Sequence, residues 1–286
     1  MSDGPISFAR GAPAPELVPS EELADCAHAV AQRDGARIFA YGPGGGYAPL
    51  REWVAARHGV SPGRVVLTVG GLQGFVFYAA EQLARRPGRV LVEAPSYDRP
   101  LKILARDGAE IVALAMDEEG LDPDALEHEL RSRSEPPSFL YTIPTFQNPS
   151  GRTLSLERRA RLVALVREHA LPVLEDDPYG LVRFEGDPQA GLAELEGGEL
   201  VTYTSSFSKT VAPGVRTGYF VWLEVDGADS AALATAAERE GVTFIAGSGF
   251  FPTSSNAGAR AARLAYSYET PERIAEGIER IARLLG

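Results

Sequence analysis

Residues 139–175 read FLYTIPTFQNPSGRTLSLERRARLVALVREHALPVLE, and this stretch decides the fold. Its first residues, 139–143, form a nearly continuous apolar run, which is typical of a strand covered on both faces of a parallel sheet. Ser155 can cap a helix over the residues that follow, because apolar side chains recur there at helical spacing. A second short apolar run, at 172–175, ends the stretch. This order of strand, helix and strand predicts a parallel βαβ unit.

The same alternation of β-rich runs and helical patterns continues on both sides of this unit. A glycine-rich start at 70–74 opens a helix that runs to about Arg85, and a final helix spans 271–285. Further strand candidates are residues 65–69, 89–93, 110–114, 200–204 and 219–225. The pattern predicts an α/β fold whose functional site lies at the carboxyl ends of its strands.

Composition and charge exclude several classes of protein. The chain has 286 residues, of which 44% are apolar and 23% charged, as in an ordinary globular protein. Its net charge of −11 argues against a nonspecific nucleic-acid binder, because phosphate backbones need a basic surface. No signal peptide is evident in residues 1–5. No apolar run approaches the roughly 20 residues that span a membrane.

Cysteine and histidine usage gives two further expectations. Cys26 is the single cysteine, which excludes an intramolecular disulfide and fits a reducing cytosol, so we expect a cytoplasmic protein. We expect no metal site, because the histidines lack the spacing of metal ligands. These histidines are His28, His58, His128 and His169.

Lys209 lies in the run SSFSKTVAPGVRTGY, residues 205–219, with hydroxyl residues on both sides of it. Arg216 follows seven positions later. A lysine in this setting can form a Schiff base with a cofactor aldehyde, while hydroxyls and a guanidinium bind the cofactor's phosphate. A surface lysine in a Ser/Thr-rich turn would produce the same pattern. Other segments therefore have to decide between these two interpretations.

Three motifs in order resemble those of the class I/II aminotransferases of PLP fold type I. They are YTIPTFQNPSG at 141–151, EDDPYG at 175–180, and the run around Lys209. The resemblance extends over nearly the whole chain, from residue 6 to residue 268. The chain resembles in particular the branch that includes 2-aminoadipate and kynurenine aminotransferases.

This resemblance implies a fold and a division into domains. The fold is α/β, with a mainly parallel, mixed seven-stranded sheet flanked by helices and a reduced C-terminal α+β small domain. Residues 1–40 would be an N-terminal arm and first helix, and residues 41–222 a large domain that binds pyridoxal 5'-phosphate (PLP). Residues 223–286 would form the small domain.

The resemblance also assigns catalytic roles. Lys209 would form the Schiff base with PLP and then move the substrate's α-proton. Asp176 would keep the pyridine nitrogen of PLP protonated, because an opposite charge favours the charged form. Asp177 competes for this role, but Tyr179 lies three residues after Asp176, which matches the family's carboxylate–tyrosine pair. Tyr179 and Asn148 would both contact the phenolic oxygen of the cofactor.

The other cofactor positions follow from the same resemblance. Tyr97 would stack on the cofactor ring. Gly71 stands where the family often has a hydroxyl residue, so backbone amides at a helix start would carry that phosphate contact. The phosphate contacts implied are Gly71, Leu72, Ser206, Ser208 and Arg216, with Tyr41 reaching the phosphate of the neighbouring subunit. A homodimer is therefore expected.

Substrate contacts are implied at two places. Arg263 matches the arginine that holds the α-carboxylate of the amino acid, since a planar guanidinium pairs bidentately with a carboxylate. Arg260 is the nearby competitor and is expected to face solvent. Gly11, in a proline-rich arm, matches a glycine that lies close to the substrate.

The chain departs from the family at one point. Family members normally continue through a long helical stretch after the position of Phe220, whereas here residues 221–225 lead directly into the small-domain sequence. All the cofactor-contact positions are retained despite this apparent deletion. A shortened pocket could admit a larger substrate, expose the reaction to water or oxygen, or change its outcome.

We therefore expect a PLP-dependent aminotransferase that moves an amino group between an amino acid and a 2-oxo acid. One alternative is another PLP reaction on the same scaffold, such as that of an amino-acid oxidase, a lyase or a biosynthetic specialist. Another is a noncatalytic effector-binding domain, since some transcription regulators fuse a winged helix to an aminotransferase-like domain. The early start of the catalytic-domain arm and the acidic charge of the chain disfavour this last alternative.

Overall fold

The computed structural model describes residues 5–9, 18–42, 44–211, 221–224, 229–251, 258–265 and 269–285. The helices are α1 (Ser20–Asp34), α2 (Ala48–Arg57), α3 (Gly71–Arg85), α4 (Asp98–Arg106), α5 (Pro123–Ser132), α6 (Leu156–Glu168), α7 (Ser230–Arg239) and α8 (Pro271–Leu285). The strands are β1 (Ile6–Ser7), β2 (Arg89–Glu93), β3 (Glu110–Leu114), β4 (Met116–Asp117), β5 (Gly120–Leu121), β6 (Phe139–Thr142), β7 (Val173–Asp176), β8 (Val201–Thr204), β9 (Val221–Glu224), β10 (Val242–Thr243), β11 (Ile245–Ala246) and β12 (Ala261–Leu264).

The central sheet contains five parallel strands in the order β3-β2-β6-β7-β8. The βαβ unit predicted from residues 139–175 is confirmed as β6, α6 and β7. Ser155 caps α6, since its Oγ accepts a hydrogen bond from the backbone N–H of Arg158 at 3.4 Å. Every residue of β2 and β6 is buried, as expected for strands covered on both faces.

Helices cover both faces of this sheet. Successive strand residues point to opposite sides, so one strand contributes side chains to both helix layers. Leu91 of β2 packs with Leu162 of α6 and with residues of α5 on one face. Val90 and Val92 of the same strand pack with Phe75 of α3 and with residues of α4 on the other face. The α/β fold class is confirmed. At one edge of the sheet the carboxyl ends of β6, β7 and β8 lie side by side.

One strand prediction was wrong, and the described residues form a central sheet of five parallel strands, whereas a mixed sheet of seven was expected. Residues 65–69 form no strand; the backbone N–H of Leu67 donates instead to the carbonyl of Gly45 at 2.9 Å. The strand expected at 219–225 is present as β9 over its described residues, 221–224, but it pairs antiparallel with β12 in a separate three-stranded sheet, β11-β12-β9. A β-rich run becomes a strand only where a neighbouring strand offers a hydrogen-bonding partner, and the sequence does not specify that partner.

The first described residues pack with the C-terminal part of the chain. β1 pairs in parallel with β10, and Ile6 and Phe8 are buried in a cluster that includes Leu233 of α7 and Ile281 of α8. The contact is close, since a Cβ added at Gly277 would come within 2.6 Å of the Phe8 ring. The N-terminal segment thus completes the core of the C-terminal region.

Candidate active site

Asp176 is the last residue of β7 and lies at the carboxyl edge of the central sheet. Its Oδ2 accepts a hydrogen bond from the hydroxyl of Tyr141 at 2.8 Å. Tyr141 belongs to the neighbouring strand β6 and is fully buried, so its hydroxyl holds the carboxylate in place from within the core. Sequence reasoning missed this role of Tyr141, because the contact depends on two strands lying next to each other.

Desolvation raises the pKa of Asp176 to about 6. The hydrogen bond from Tyr141 and the positive charge of Lys209 both lower that pKa, whereas the nearby Asp177 raises it. A cation placed beside this carboxylate would restore its charged form. The environment of Asp176 therefore suits a carboxylate that pairs with a positively charged ligand atom.

Lys209 ends a short 3₁₀ turn, Phe207–Lys209, that follows β8. Its Nζ lies 5.3 Å from the centroid of the Tyr179 ring, and Tyr179 is buried. The amine is also close enough to Asp176 to affect the pKa of that carboxylate. The three residues predicted to be catalytic are therefore brought together at one edge of the sheet.

Asp177 faces a different set of partners from its neighbour Asp176. Its Oδ1 accepts from the backbone N–H of Gly180 at 2.7 Å, and its Oδ2 accepts from the Tyr203 hydroxyl at 3.1 Å. These bonds hold the turn that carries Tyr179. Their geometry supports the assignment of Asp177 to a structural role and of Asp176 to the site.

The start of α3 adjoins the segment that leads to Lys209. A Cβ added at Gly71 would lie 3.8 Å from the carbonyl oxygen of Ser205 and 4.0 Å from Cβ of Ser206. Ser206 Oγ accepts the backbone N–H of Ser208 at 3.0 Å. Leu72 follows Gly71 in the first turn of α3, where backbone N–H groups lack intrahelical acceptors. Amides of a helix start next to serine hydroxyls form a suitable cradle for a phosphate.

The side chain of Asn148 gives the most direct indication that this site binds a ligand. Its side chain is buried, and within the described residues its Oδ1 has no hydrogen-bond partner. A buried polar atom without a partner is rare in folded proteins. Rotating the side-chain amide by 180° exchanges its oxygen and its NH2 group, so the same position can present an N–H to a ligand oxygen. The site thus fits the phenolic oxygen of PLP.

Tyr97 and Arg263 extend the site toward the substrate. Tyr97 packs against the cluster that contains Tyr141 and Tyr179. A nitrogen of Arg263 donates to the carbonyl of Ala9 at 3.1 Å, and its guanidinium lies 5.0 Å from the centroid of the Phe250 ring.

Burial lowers the pKa of Arg263, and the negative charge of Asp98 and the hydroxyls of Tyr179 and Tyr97 counteract this effect. Arg263 is therefore near the aromatic residues of the site, whereas its competitor Arg260 is exposed.

Three predicted site residues are not placed with the others. Arg216 and Gly11 lie outside the described residues. Tyr41 is fully exposed, and within the described residues its side chain does not join the other predicted site residues. Its predicted contact with a neighbouring subunit stays a prediction.

Neither a metal site nor a membrane-spanning helix is present in the part of the chain that the structure describes. No group of three or more His, Cys, Asp or Glu side chains there could hold a metal ion. None of the helices in those ranges is both long and apolar enough to span a bilayer.

Comparisons with known proteins agree with this geometry. The aminotransferase class I and II family matches residues 9–285. The 2-aminoadipate transaminase of Thermus thermophilus is 40% identical over 221 residues, which are 76% of this chain and 55% of that protein. The uncharacterized HTH-type transcriptional regulator YisV of Bacillus subtilis is 31% identical over 219 residues, which are 75% of this chain and 44% of the regulator.

A solved structure of an aminotransferase has the same fold. LysN, the α-aminoadipate aminotransferase of Thermus thermophilus, was crystallised with N-(5'-phosphopyridoxyl)-L-leucine. It superposes with a TM-score of 0.89 at 32% identity, and the match covers 99% of this chain and 92% of LysN.

The fold and the site define an α/β protein of PLP fold type I, with lysine, carboxylate and phosphate cradle at one sheet edge. The chain belongs to the aminotransferase class I and II family. The resemblance inferred from its three motifs is confirmed. The chain spans about half the length of the curated relatives it matches.

Proposed function

We propose that this chain is a PLP-dependent aminotransferase of the cytoplasm that moves an amino group between an amino acid and a 2-oxo acid. Family membership supports the reaction class, and the phosphopyridoxyl ligand of LysN supports the cofactor. The observation that carries the proposal is that Lys209 lies near both the Tyr179 ring and the Asp176 carboxylate at the carboxyl edge of the sheet.

When bound, PLP supplies an electron sink for the bond that breaks at the substrate's α-carbon. The chain's own residues hold the cofactor and move protons. Asp176, fixed by Tyr141, would keep a proton on the pyridine nitrogen. Lys209 would hold the cofactor through its Nζ and, from the same atom, would carry a proton to and from the substrate's α-carbon. Asn148 would supply a hydrogen bond to the phenolic oxygen.

Arg263 is the proposed binding residue for the α-carboxylate shared by amino acids and 2-oxo acids. A guanidinium can form two parallel hydrogen bonds to a carboxylate, and desolvation strengthens such a pair. Arg263 is buried and stacked on Phe250, which suits it to this task. The identity of the substrate side chain is not part of the proposal.

The composition of the chain allows a sharp test of the lysine. Lys102 and Lys209 are the two lysines of the sequence. Borohydride reduction of PLP-saturated protein should attach the cofactor covalently to Lys209, as read by mass spectrometry of peptides. Lys102 is an internal control, because its side chain is exposed and bonds to Asp98 at 2.9 Å. Lys209→Ala should abolish both the attachment and turnover.

Two results would overturn the proposed lysine. One is labelling of Lys102 alone, or of neither lysine, in protein that is saturated with PLP. The other is turnover at the wild-type rate in Lys209→Ala. Either result would remove the chemical basis of the proposed function.

A homodimer is part of the proposal. α1 has 15 residues and none of them is buried, although isolated helices of that length are marginal in water. Phe39 and Tyr41, which follow α1, are exposed as well. A second copy that covers this surface would stabilise the helix and could bring Tyr41 to the neighbouring phosphate site.

The relative among transcription regulators favours a second candidate, an amino-acid-binding domain without net turnover. The two candidates differ in a simple experiment. An aminotransferase converts its cofactor to the pyridoxamine form with an amino donor, and a 2-oxo acid reverses the change. Binding of amino acids without this conversion would favour the second candidate. Release of ammonia or peroxide without a 2-oxo acid would indicate another PLP reaction.

A further inference from the structure

Glu93 is a buried carboxylate that the proposed chemistry does not use. It is the last residue of β2, and its side chain accepts hydrogen bonds from three groups of the adjoining strand end. The donors are the Thr142 hydroxyl, the backbone N–H of Ile143 at 3.1 Å and Nε2 of Gln147 at 3.1 Å. Glu93 therefore joins the end of β2 to the segment that follows β6.

Gln147 is equally buried, and all four hydrogen-bonding positions of its amide are filled. Its Nε2 donates to Glu93 and, at 2.7 Å, to the carbonyl of Pro95. Its Oε1 accepts from the backbone N–H and the hydroxyl of Ser150, at 2.9 and 2.7 Å. Acceptors surround one end of the amide and donors the other, so only one orientation satisfies every partner. The amide thereby ties the loop at 94–97 to the loop at 147–151.

The backbone next to Gln147 is held in an unfavourable conformation. Phe146 has a φ of 49°, a left-handed value that side chains other than glycine rarely adopt. Such a residue persists where its surroundings determine the conformation. The Phe146 N–H donates to Thr153 Oγ1 at 3.1 Å, and the Gln147 N–H donates to the carbonyl of Arg152 at 2.8 Å. The bonds around Gln147 thus keep this loop in one shape.

Each of the two joined loops carries a residue assigned to the cofactor. Tyr97 lies two positions after Pro95, and Asn148 follows Gln147 directly. We propose that Glu93 and Gln147 are positioning residues that set the distance between Tyr97 and Asn148, and with it the fit of the cofactor ring. This inference rests on the proposed function, because it presupposes that PLP binds between these two loops.

Gln147→Glu is the main test, since it keeps the shape of the side chain but replaces two N–H donors by acceptors. The new oxygen would face the Glu93 carboxylate and the Pro95 carbonyl. We expect the Kd for PLP, measured by fluorescence titration, to rise roughly tenfold or more. We also expect the visible circular dichroism of bound PLP to change, because that signal reports how the ring is held.

Ser138→Ala is the matched control. Ser138 is buried next to the opposite end of β6, and its hydroxyl donates to the carbonyl of Arg86. Removing it takes away a buried hydrogen bond without touching either loop. Its Tm should fall, while its Kd for PLP and its visible circular dichroism should match the wild type.

A milder variant covers the case in which Gln147→Glu does not fold. Ser150→Ala removes one donor to Gln147 Oε1 and keeps the backbone N–H of Ser150. We expect a change of Kd in the same direction but smaller, about two- to fivefold.

The possible outcomes separate the inference from the proposed function. Wild-type Kd and circular dichroism in a folded Gln147→Glu, or in Ser150→Ala when the first variant does not fold, would overturn the positioning role. An equal loss of affinity in Ser138→Ala would also overturn it, because the effect would then be general destabilisation. Wild-type protein that binds no PLP would refute the proposed function instead.

Discussion

Asp176 shows at the scale of one residue how the fold prepares a chemical role. Its carboxylate is partly desolvated, which raises its pKa to about 6, and it accepts the hydroxyl of Tyr141. Lys209 lies near enough to lower that pKa again. A second positive charge beside this carboxylate would stabilise its ionised form, and a protonated pyridine nitrogen is such a charge.

Asp176→Asn should therefore retain PLP more weakly and lose most of its rate. The side chain keeps its size but no longer stabilises the protonated nitrogen, so we expect kcat to fall about 100-fold, as when other charge-stabilising groups are removed. Steady-state kinetics at saturating PLP measure this fall. The control is Asp177→Asn, whose single amide oxygen cannot accept from both Gly180 and Tyr203, so it should lower Tm more than kcat. A larger loss of kcat in the control would show that the wrong carboxylate was chosen.

The first helix raises a question at the scale of an element. α1 has a proline at its N-cap position, no side-chain cap and no buried residue. Helices in proteins owe most of their stability to packing of an apolar face, and among the described residues α1 buries no side chain that would provide such packing. Phe39 continues the exposed surface, with 81% of its area accessible. The simplest structure that covers this surface is a second copy of the chain.

Size-exclusion chromatography with light scattering should give about twice the chain mass of 30.6 kDa. Phe39→Asp should shift the protein toward the monomer, because a charge in a desolvated interface is unfavourable. It should also weaken PLP binding if Tyr41 reaches the neighbouring phosphate. Leu156→Asp is the control, since Leu156 is an exposed apolar residue in a different helix, α6. A wild-type protein that is monomeric at micromolar concentration would contradict the dimer.

Carboxyl groups near the sheet edge matter for the stability of the whole molecule. Desolvation raises the pKa of each of them; that of Glu175 reaches about 7 and that of Asp176 about 6. The others are Glu93 and Asp177. Each carboxylate oxygen of Glu175 accepts a backbone hydrogen bond, from the N–H of Leu192 at 2.9 Å and from that of Ala193 at 3.0 Å.

A raised carboxyl pKa has a definite sign in its effect on folding. Such a group stabilises the folded protein fully below its unfolded pKa, 4.5 for Glu175 and 3.8 for Asp176, and this contribution is lost as pH rises through the folded pKa. The free energy of unfolding of the cofactor-free protein should therefore fall between pH 5 and pH 8. Glu175 would contribute on the order of 3 kcal/mol to this change.

Urea unfolding at several pH values measures this dependence. Glu175→Gln should flatten the fall between pH 5 and pH 8, even though its overall stability is lower because an amide cannot accept from both backbone N–H groups. Glu199→Gln, at an exposed position, should leave the slope unchanged. A wild-type profile without a fall in this range, or an unchanged slope in Glu175→Gln, would contradict the assignment.

The parts of the fold that were predicted correctly depend on local signals. The start of α6 follows from the Ser155 cap and helical spacing, and the positions of β2 and β6 follow from apolar runs between turn residues. Residues 65–69 carry an equally β-rich pattern but form no strand. Local pattern indicates the tendency to form a strand, while pairing depends on residues far away in the sequence.

Motif order in the sequence determined the family of this protein and the candidates Lys209, Asp176 and Tyr179, because their chemistry requires particular residue types at set spacings. Only the tertiary structure decided which hydrogen bonds connect Tyr141, Glu93 and Gln147 to the site. Their partners lie 35 to 54 positions away along the chain and become neighbours when parallel strands end at the same edge. Spacing in sequence specifies which groups are present, whereas desolvation and hydrogen bonding between strands specify what those groups can do.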